Sequence, residues 1–109
     1  DLSEAAVNEL TETLLGIISE GPEKHLGFYN SAGPMSLKYH AFQLLPGIGN
    51  SKALQMVQLR GIAGWNDFAA VDEACGIDSA RLLAERYVKE MEDDAQKPRL
   101  LDILVRSEI

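Results

Sequence analysis

Apolar residues recur along this chain at three- and four-residue spacing, the period of helices with one buried face. Leu10, Leu14, Ile17 and Ile18 form the first such stripe. Ahead of it, Ser3 is placed to cap the helix, Glu4 suits its dipole, and Leu2 can staple onto Val7. Gly21-Pro22 ends this helix. A short helix over roughly residues 23–31 follows, burying Leu26 and dividing Phe28 and Tyr29 between core and surface. Gly33-Pro34 breaks it and opens the next, with Pro34 tolerated in the first turn. That helix is expected to run through Leu37, Ala41 and Leu44. Another covers about residues 50–59, stopped by Gly61, with Ala53, Leu54 and Val57 on its packing face. Residues 61–66 connect, and Trp65 is expected to plug the core there.

The second half repeats the theme. Asn66 or Asp67 caps a helix from Phe68 to Ala74. Gly76-Ile77-Asp78 then turns the chain, with Asp78 capping a helix whose apolar series is Ala80, Leu83, Ala84, Tyr87, Val88 and Met91. The acids Glu92, Asp93 and Asp94 sit badly at a helix C-terminus, so fraying is expected there. Residues 100–105 read equally as a helix or an edge strand. Leu100, Leu101, Ile103 and Val105 are apolar enough to want a partner surface.

The stretch Leu44-Leu45-Pro46-Gly47-Ile48-Gly49-Asn50-Ser51-Lys52-Ala53 carries the most chemistry. Pro46 cannot continue a helix. Gly47 and Gly49 are expected at positive φ with bare backbone, and Asn50 is an acceptable N-cap. N–H groups from the turn and from the new helix would converge on one spot suited to a phosphate oxygen. This is the pattern of a helix-hairpin-helix motif, in which Ala53 is small enough for close helix packing. Gly76-Ile77-Asp78 lies 29 residues after Gly47-Ile48-Gly49, a faint internal repeat. Asp78 stands where the first copy has Gly49, and an acid there repels phosphate. The expected fold is therefore all-α: N-terminal helices over 1–33, a tandem helix-hairpin-helix (SAM-like) domain over 34–94 with a degenerate second hairpin, and a tail over 95–109.

Composition narrows the function. The 109 residues amount to one domain with a modest core. No run is long enough to span a bilayer and no signal peptide is expected. The lone Cys75 excludes an internal disulfide and favours a reducing, cytoplasmic setting. His25 and His40 lack cysteine partners at zinc spacing, so neither metal nor cofactor is expected. The chain opens on Asp1, which reads as a piece of a longer protein. A net charge of −7 argues against tight nonspecific nucleic-acid binding. Its distribution argues otherwise: residues 24–66 hold Lys24, Lys38, Lys52 and Arg60 and no acid, and the hairpin lies within that window.

Phe28-Tyr29-Asn30, Gly33-Pro34 and His40 leading into Leu44-Leu45-Pro46-Gly47-Ile48-Gly49 occur together in one archaeal family, domain-of-unknown-function family 655, which residues 3–60 strongly resemble. The likeness weakens after Arg60 but keeps its shape, with Trp65 and Phe68 near the family's second aromatic helix start. The resemblance implies an RNA-binding protein with an OB-like β-barrel domain ahead of a helical part, and this chain resembles that helical part. The neighbourhood of the family's genes implies a role in translation or ribosome assembly. Family members are often doubly basic after the second glycine, whereas this chain has Asn50-Ser51 and then Lys52.

The leading expectation is a module that binds nucleic acid without reading sequence, RNA over DNA on the resemblance. Pro46, Gly47, Ile48 and Gly49 would frame the phosphate, Asn50 and Ser51 would add donors, and Lys52 a charge. Lys38, His40 and Arg60 would flank it. Such contacts position a protein but carry no sequence information. The alternative is a protein-interaction or assembly module with a purely structural hairpin, its acidic ends suiting a ribosomal or other basic protein. A glycosylase-like enzyme is rejected. The nucleophilic lysine of those enzymes falls here on Ser51 and their aspartate on Ala69, while Asp67 is more simply a helix cap.

Overall fold

The structure is a computed structural model and describes residues 3–93. Among these the chain is all-α: α1 (Glu4–Glu20), α2 (Pro22–Ser31), α3 (Asn50–Arg60), α4 (Phe68–Cys75) and α5 (Ser79–Glu92), with a 3-10 helix at Ala41–Leu44. The expected Leu2 staple and the tail over 95–109, with its apolar residues, lie outside the described residues.

Ser3 caps α1 as expected, its hydroxyl accepting the Ala6 N–H at 3.1 Å. Gly21 ends α1 and Pro22 occupies the first position of α2, where its missing N–H costs nothing. α1 lies along α5, burying Leu14 and Ile18, while Arg81 and Glu12 pair at 2.6 Å on the exposed side. One core takes residues from every helix and from the 3-10 segment. Its centre is aromatic. Tyr29 meets Phe28 and Phe68 edge-on and stacks with Phe42, at centroid distances of 5.4–6.1 Å. Phe28 and Tyr29 are thus both buried rather than divided between core and surface. Adjacent helix positions point about 100° apart, yet both side chains find apolar neighbours because Phe42 folds back over them.

The largest departure from the sequence reading is at residues 34–44. No α-helix forms over residues 34–40. The segment is a closed loop, with Met35 and Ser36 N–H both donating to the Tyr39 carbonyl and Ala41 N–H donating to that of Gly33. Pro34 and His40 bridge across its neck. The cause is local. His40 Nδ1 accepts the Phe42 N–H at 3.0 Å, and Gln43 Oε1 accepts the His40 N–H at 2.9 Å. This reciprocal cap starts the helix at Ala41, and Leu45, extended ahead of Pro46, stops it four residues later.

The remaining helices follow the sequence closely. Gly61 ends α3 at φ 57° and Gly76 ends α4 at φ 68°. Asp67 and Asp78 cap α4 and α5 through their carboxylates. Ala53 and Val57 pack inward on α3, whereas Leu54 turns to solvent. On α5 the apolar series ends at Val88, since Met91 is exposed.

Candidate functional site

Gly47 takes φ 77° and Gly49 does not: at φ −93°, ψ −172° it is extended and is itself the N-cap of α3. Asn50 is the first helical residue rather than the cap. The turn is closed by Ile48 N–H donating to the Leu45 carbonyl at 3.2 Å, and the buried Ile48 side chain pins it to the core. No side chain caps α3, so its first-turn N–H groups lack the acceptor that a Ser or Asp would supply. Pro46, Gly47, Gly49, Asn50 and Ser51 are all exposed around this opening.

The second turn has the same frame and a closed end. Gly76, 29 residues after Gly47, is also left-handed. Asp78 then accepts the Arg81 N–H itself, and Asp72 Oδ1 accepts both the Ser79 N–H at 2.7 Å and the Ser79 hydroxyl. The donors that α3 leaves open are taken up at the start of α5 by carboxylates.

Of the cations expected around the hairpin, two serve the fold. Lys52 Nζ donates to the Cys75 carbonyl at the end of α4. Arg60 Nη1 donates to the Tyr29 and Ala32 carbonyls at 3.1 and 2.7 Å, and its guanidinium lies 5.4 Å from the Phe42 ring centroid. Arg60 thereby finishes α2, a cationic use of a helix C-terminus. His40 is buried against Phe42 and occupied as a cap. Lys38 is exposed at the tip of the 34–40 loop. The acid-free window therefore yields less basic surface than its charge count suggests, because Lys52 and Arg60 point at carbonyls inside the domain.

The groove beside the hairpin draws its cations from elsewhere. It is an open depression of about 640 Å³ between the turn (Leu44–Gly49), Tyr39 and Gln43 on one side and Arg86 and Lys89 of α5 on the other. Lys89 is exposed. Arg86 is buried, its Nε donating to Glu90 Oε2 at 2.7 Å, and the Glu90 carboxylate is fully buried. The sequence reading passed over both. The available signal was Arg86 lying inside the apolar series between Leu83 and Tyr87-Val88, a place where a charge must be paired.

Other titratable groups are turned inward. Burial, aided by Lys24, holds His25 below the ordinary histidine range, and burial aided by Arg60 does the same for His40. His25 Nδ1 lies 2.9 Å from the Tyr87 hydroxyl. Burial raises the phenols of Tyr29 and Tyr87 and the thiol of Cys75, which leaves Cys75 a poor nucleophile. Among the described residues no group of three or more His, Cys, Asp or Glu is arranged to hold a metal ion, and no helix is long and apolar enough to cross a membrane.

Fold and groove define a small all-α domain assembled from turn-and-helix units. The chain belongs to the family described as protein of unknown function (DUF655), whose model matches residues 1–102. It is 25% identical over 93 residues to an uncharacterized protein of Methanocaldococcus jannaschii, a match covering 85% of this chain and 43% of that protein. The chain thus spans less than half the length of that curated relative. No solved structure matches it at a significant level.

Proposed function

We propose that this chain is a nucleic-acid-binding module that holds backbone phosphate at the start of α3 without reading base sequence. The observation that carries the reading is the uncapped N-terminus of α3, open beside a groove whose far wall bears Lys89. Backbone N–H groups and a helix dipole favour an anion there, and Lys89 adds a screened charge. Asn50 and Ser51 are exposed at the same opening and can donate from their side chains. Lys52, Arg60 and His40 act indirectly, by fixing α3, α2 and the turn. With so few cations the module binds weakly and loses affinity steeply with salt, and it performs no chemistry on its ligand. RNA is preferred over DNA, and a role in translation or ribosome assembly as part of a longer, cytoplasmic protein with an OB-like domain follows from the family resemblance.

The test is an NMR titration with single-stranded RNA, duplex RNA and duplex DNA at two salt concentrations. Shifts centred on Gly47–Ser51 that shrink with salt support phosphate binding. Silence at those amides at low salt transfers the function to the second reading, in which the domain docks a basic protein. Five exposed glutamates on and beside α1 (Glu4, Glu9, Glu12, Glu20 and Glu23) favour that reading.

A further inference from the structure

Apart from His40, the loop over 34–40 has no role in phosphate binding as described above, yet it carries exposed apolar side chains at alternate positions. Met35 is 45% exposed, Leu37 fully exposed and Tyr39 40% exposed. Such a loop would ordinarily fold its apolar residues inward. Here two N–H groups bound to the Tyr39 carbonyl, and the Pro34–His40 bridge at the neck, close the loop and leave its side chains outside. Tyr39 stands at the junction of loop and groove. It lines the groove together with Gln43 and the hairpin, and its hydroxyl donates to the Gln43 carbonyl at 3.3 Å. The ring is thus tethered at both ends while a large part of it stays open.

We infer that the groove takes single-stranded nucleic acid, with one base stacked on Tyr39 while the adjoining phosphates lie at the start of α3 and at Lys89. This rests on the phosphate reading of the hairpin and adds the strandedness of the ligand. Three features carry it. An aromatic face beside a backbone-binding groove is how sequence-tolerant single-strand binders gain affinity, since every base offers a π-face. In a duplex the bases are stacked on one another, and a tyrosine at the rim of a phosphate site meets only sugar and phosphate. The groove, about 640 Å³ and open to solvent, has room for one nucleotide unit beside Tyr39. Leu37 and Lys38, exposed on the same loop, extend the surface with an apolar contact and a charge.

The experiment measures anisotropy of labelled oligouridylate, oligothymidylate and a mixed-sequence duplex of equal length against the chain, at low and moderate salt. Single strands are expected to bind at least about tenfold more tightly than the duplex. Tyr39→Leu is expected to remove most of that preference while Tyr39→Phe keeps it, because the ring rather than the hydroxyl stacks. Circular dichroism of Tyr39→Leu guards against loss of fold. Lys89→Gln is expected to weaken all ligands and flatten the salt dependence. A ratio between the two single strands assigns RNA or DNA without altering the inference. Equal or tighter duplex binding, or a Tyr39→Leu protein that binds single strands like the parent, overturns the inference. If amide shifts at Gly47–Ser51 persist in that case, phosphate binding stands and only the stacked single strand falls. If no ligand binds at low salt and those amides are silent, both fall together.

Discussion

The side-chain amide of Asn30 pairs with the backbone of Trp65 through two hydrogen bonds. Its Nδ2 donates to the Trp65 carbonyl at 2.9 Å, and its Oδ1 accepts the Trp65 N–H at 2.8 Å. The last turn of α2 thereby holds the connector between α3 and α4 as a strand would hold its neighbour. Trp65 is buried at that point, and Gly64 makes the approach possible. At φ 71° a Cβ on residue 64 would stand 2.7 Å from Asn30 Oδ1. Asn30→Asp keeps the acceptor and loses the donor, and is expected to cost about 1–2 kcal/mol. Gly64→Ala combines backbone strain with the clash and is expected to cost more than Asn30→Asp. Urea unfolding followed by the fluorescence of Trp65 reads both.

Lys52 and Lys89 are expected to separate stability from binding. Lys52→Met removes the donor to the Cys75 carbonyl and lowers stability by about 1 kcal/mol, with little effect on nucleic-acid affinity. Lys89→Gln has no partner to lose among the described residues, so stability stays within about 0.5 kcal/mol. Its salt slope in a binding titration falls by about one. The opposite pattern, with binding lost at Lys52 and kept at Lys89, would move the charged contact from Lys89 to Lys52.

The sequence made the helical architecture legible because caps and breakers are local. Ser3, Gly21-Pro22, Gly61, Asp67, Gly76 and Asp78 act on their own neighbours, and each terminates or starts a helix where it stands. Residues 34–40 are not the helix their sequence suggests, because the helix start depends on two side chains, His40 and Gln43, capping reciprocally across three residues. The hairpin was legible as a turn, but the destinations of Lys52 and Arg60 were not. Both are decided by carbonyls 23 to 31 residues distant in sequence. Charge counted along a chain cannot distinguish a cation facing water from one finishing a neighbouring helix. The same blindness hid the groove, whose second wall comes from α5.

The Arg86–Glu90 pair, nearly inaccessible on both sides, is expected to behave as a buried ion pair. Glu90→Gln or Arg86→Met alone removes one member of this buried pair and is expected to cost about 3–5 kcal/mol. The double replacement Arg86→Met with Glu90→Leu is expected to recover much of that loss. A double-mutant cycle by chemical denaturation gives the coupling. Additive losses would mean that the two side chains stabilise the domain independently.

Acid is expected to destabilise the fold through its histidines. Both His25 and His40 are held below the usual value of 6.5 by burial, with Lys24 and Arg60 adding to it. The unfolded chain therefore binds protons that the folded chain refuses. The stability contributed by keeping these rings neutral is complete above 6.5 and is lost as pH falls from 6.5 through the lower folded values. At His40 protonation of Nδ1 would also break the cap, since this nitrogen accepts the Phe42 N–H. His40→Asn supplies an acceptor that does not titrate. Comparing urea midpoints at about pH 7.5 and about pH 5 should show a smaller acid loss for this variant than for the parent. An equal loss would remove His40 as a contributor.

Gly49→Ser gives the sharpest separation between a structural and a binding hairpin. Residue 49 is extended, not left-handed, and nothing stands within 4 Å of where a Cβ would be. Serine is therefore accommodated without strain, and at an N-cap its hydroxyl accepts an N–H from the first turn of α3. Replacing glycine there is expected to raise stability by a few tenths of a kcal/mol. Under the proposed function the same hydroxyl competes for the donors that a phosphate would use and places an oxygen lone pair where the anion would sit. Nucleic-acid affinity is then expected to fall severalfold while the unfolding midpoint rises. If the hairpin serves the fold alone, the variant is more stable and binds as before, because no ligand is displaced. Asp78 already performs this closure at the second turn, and Gly49→Ser tests whether the first is open because its ligand occupies the place of a cap.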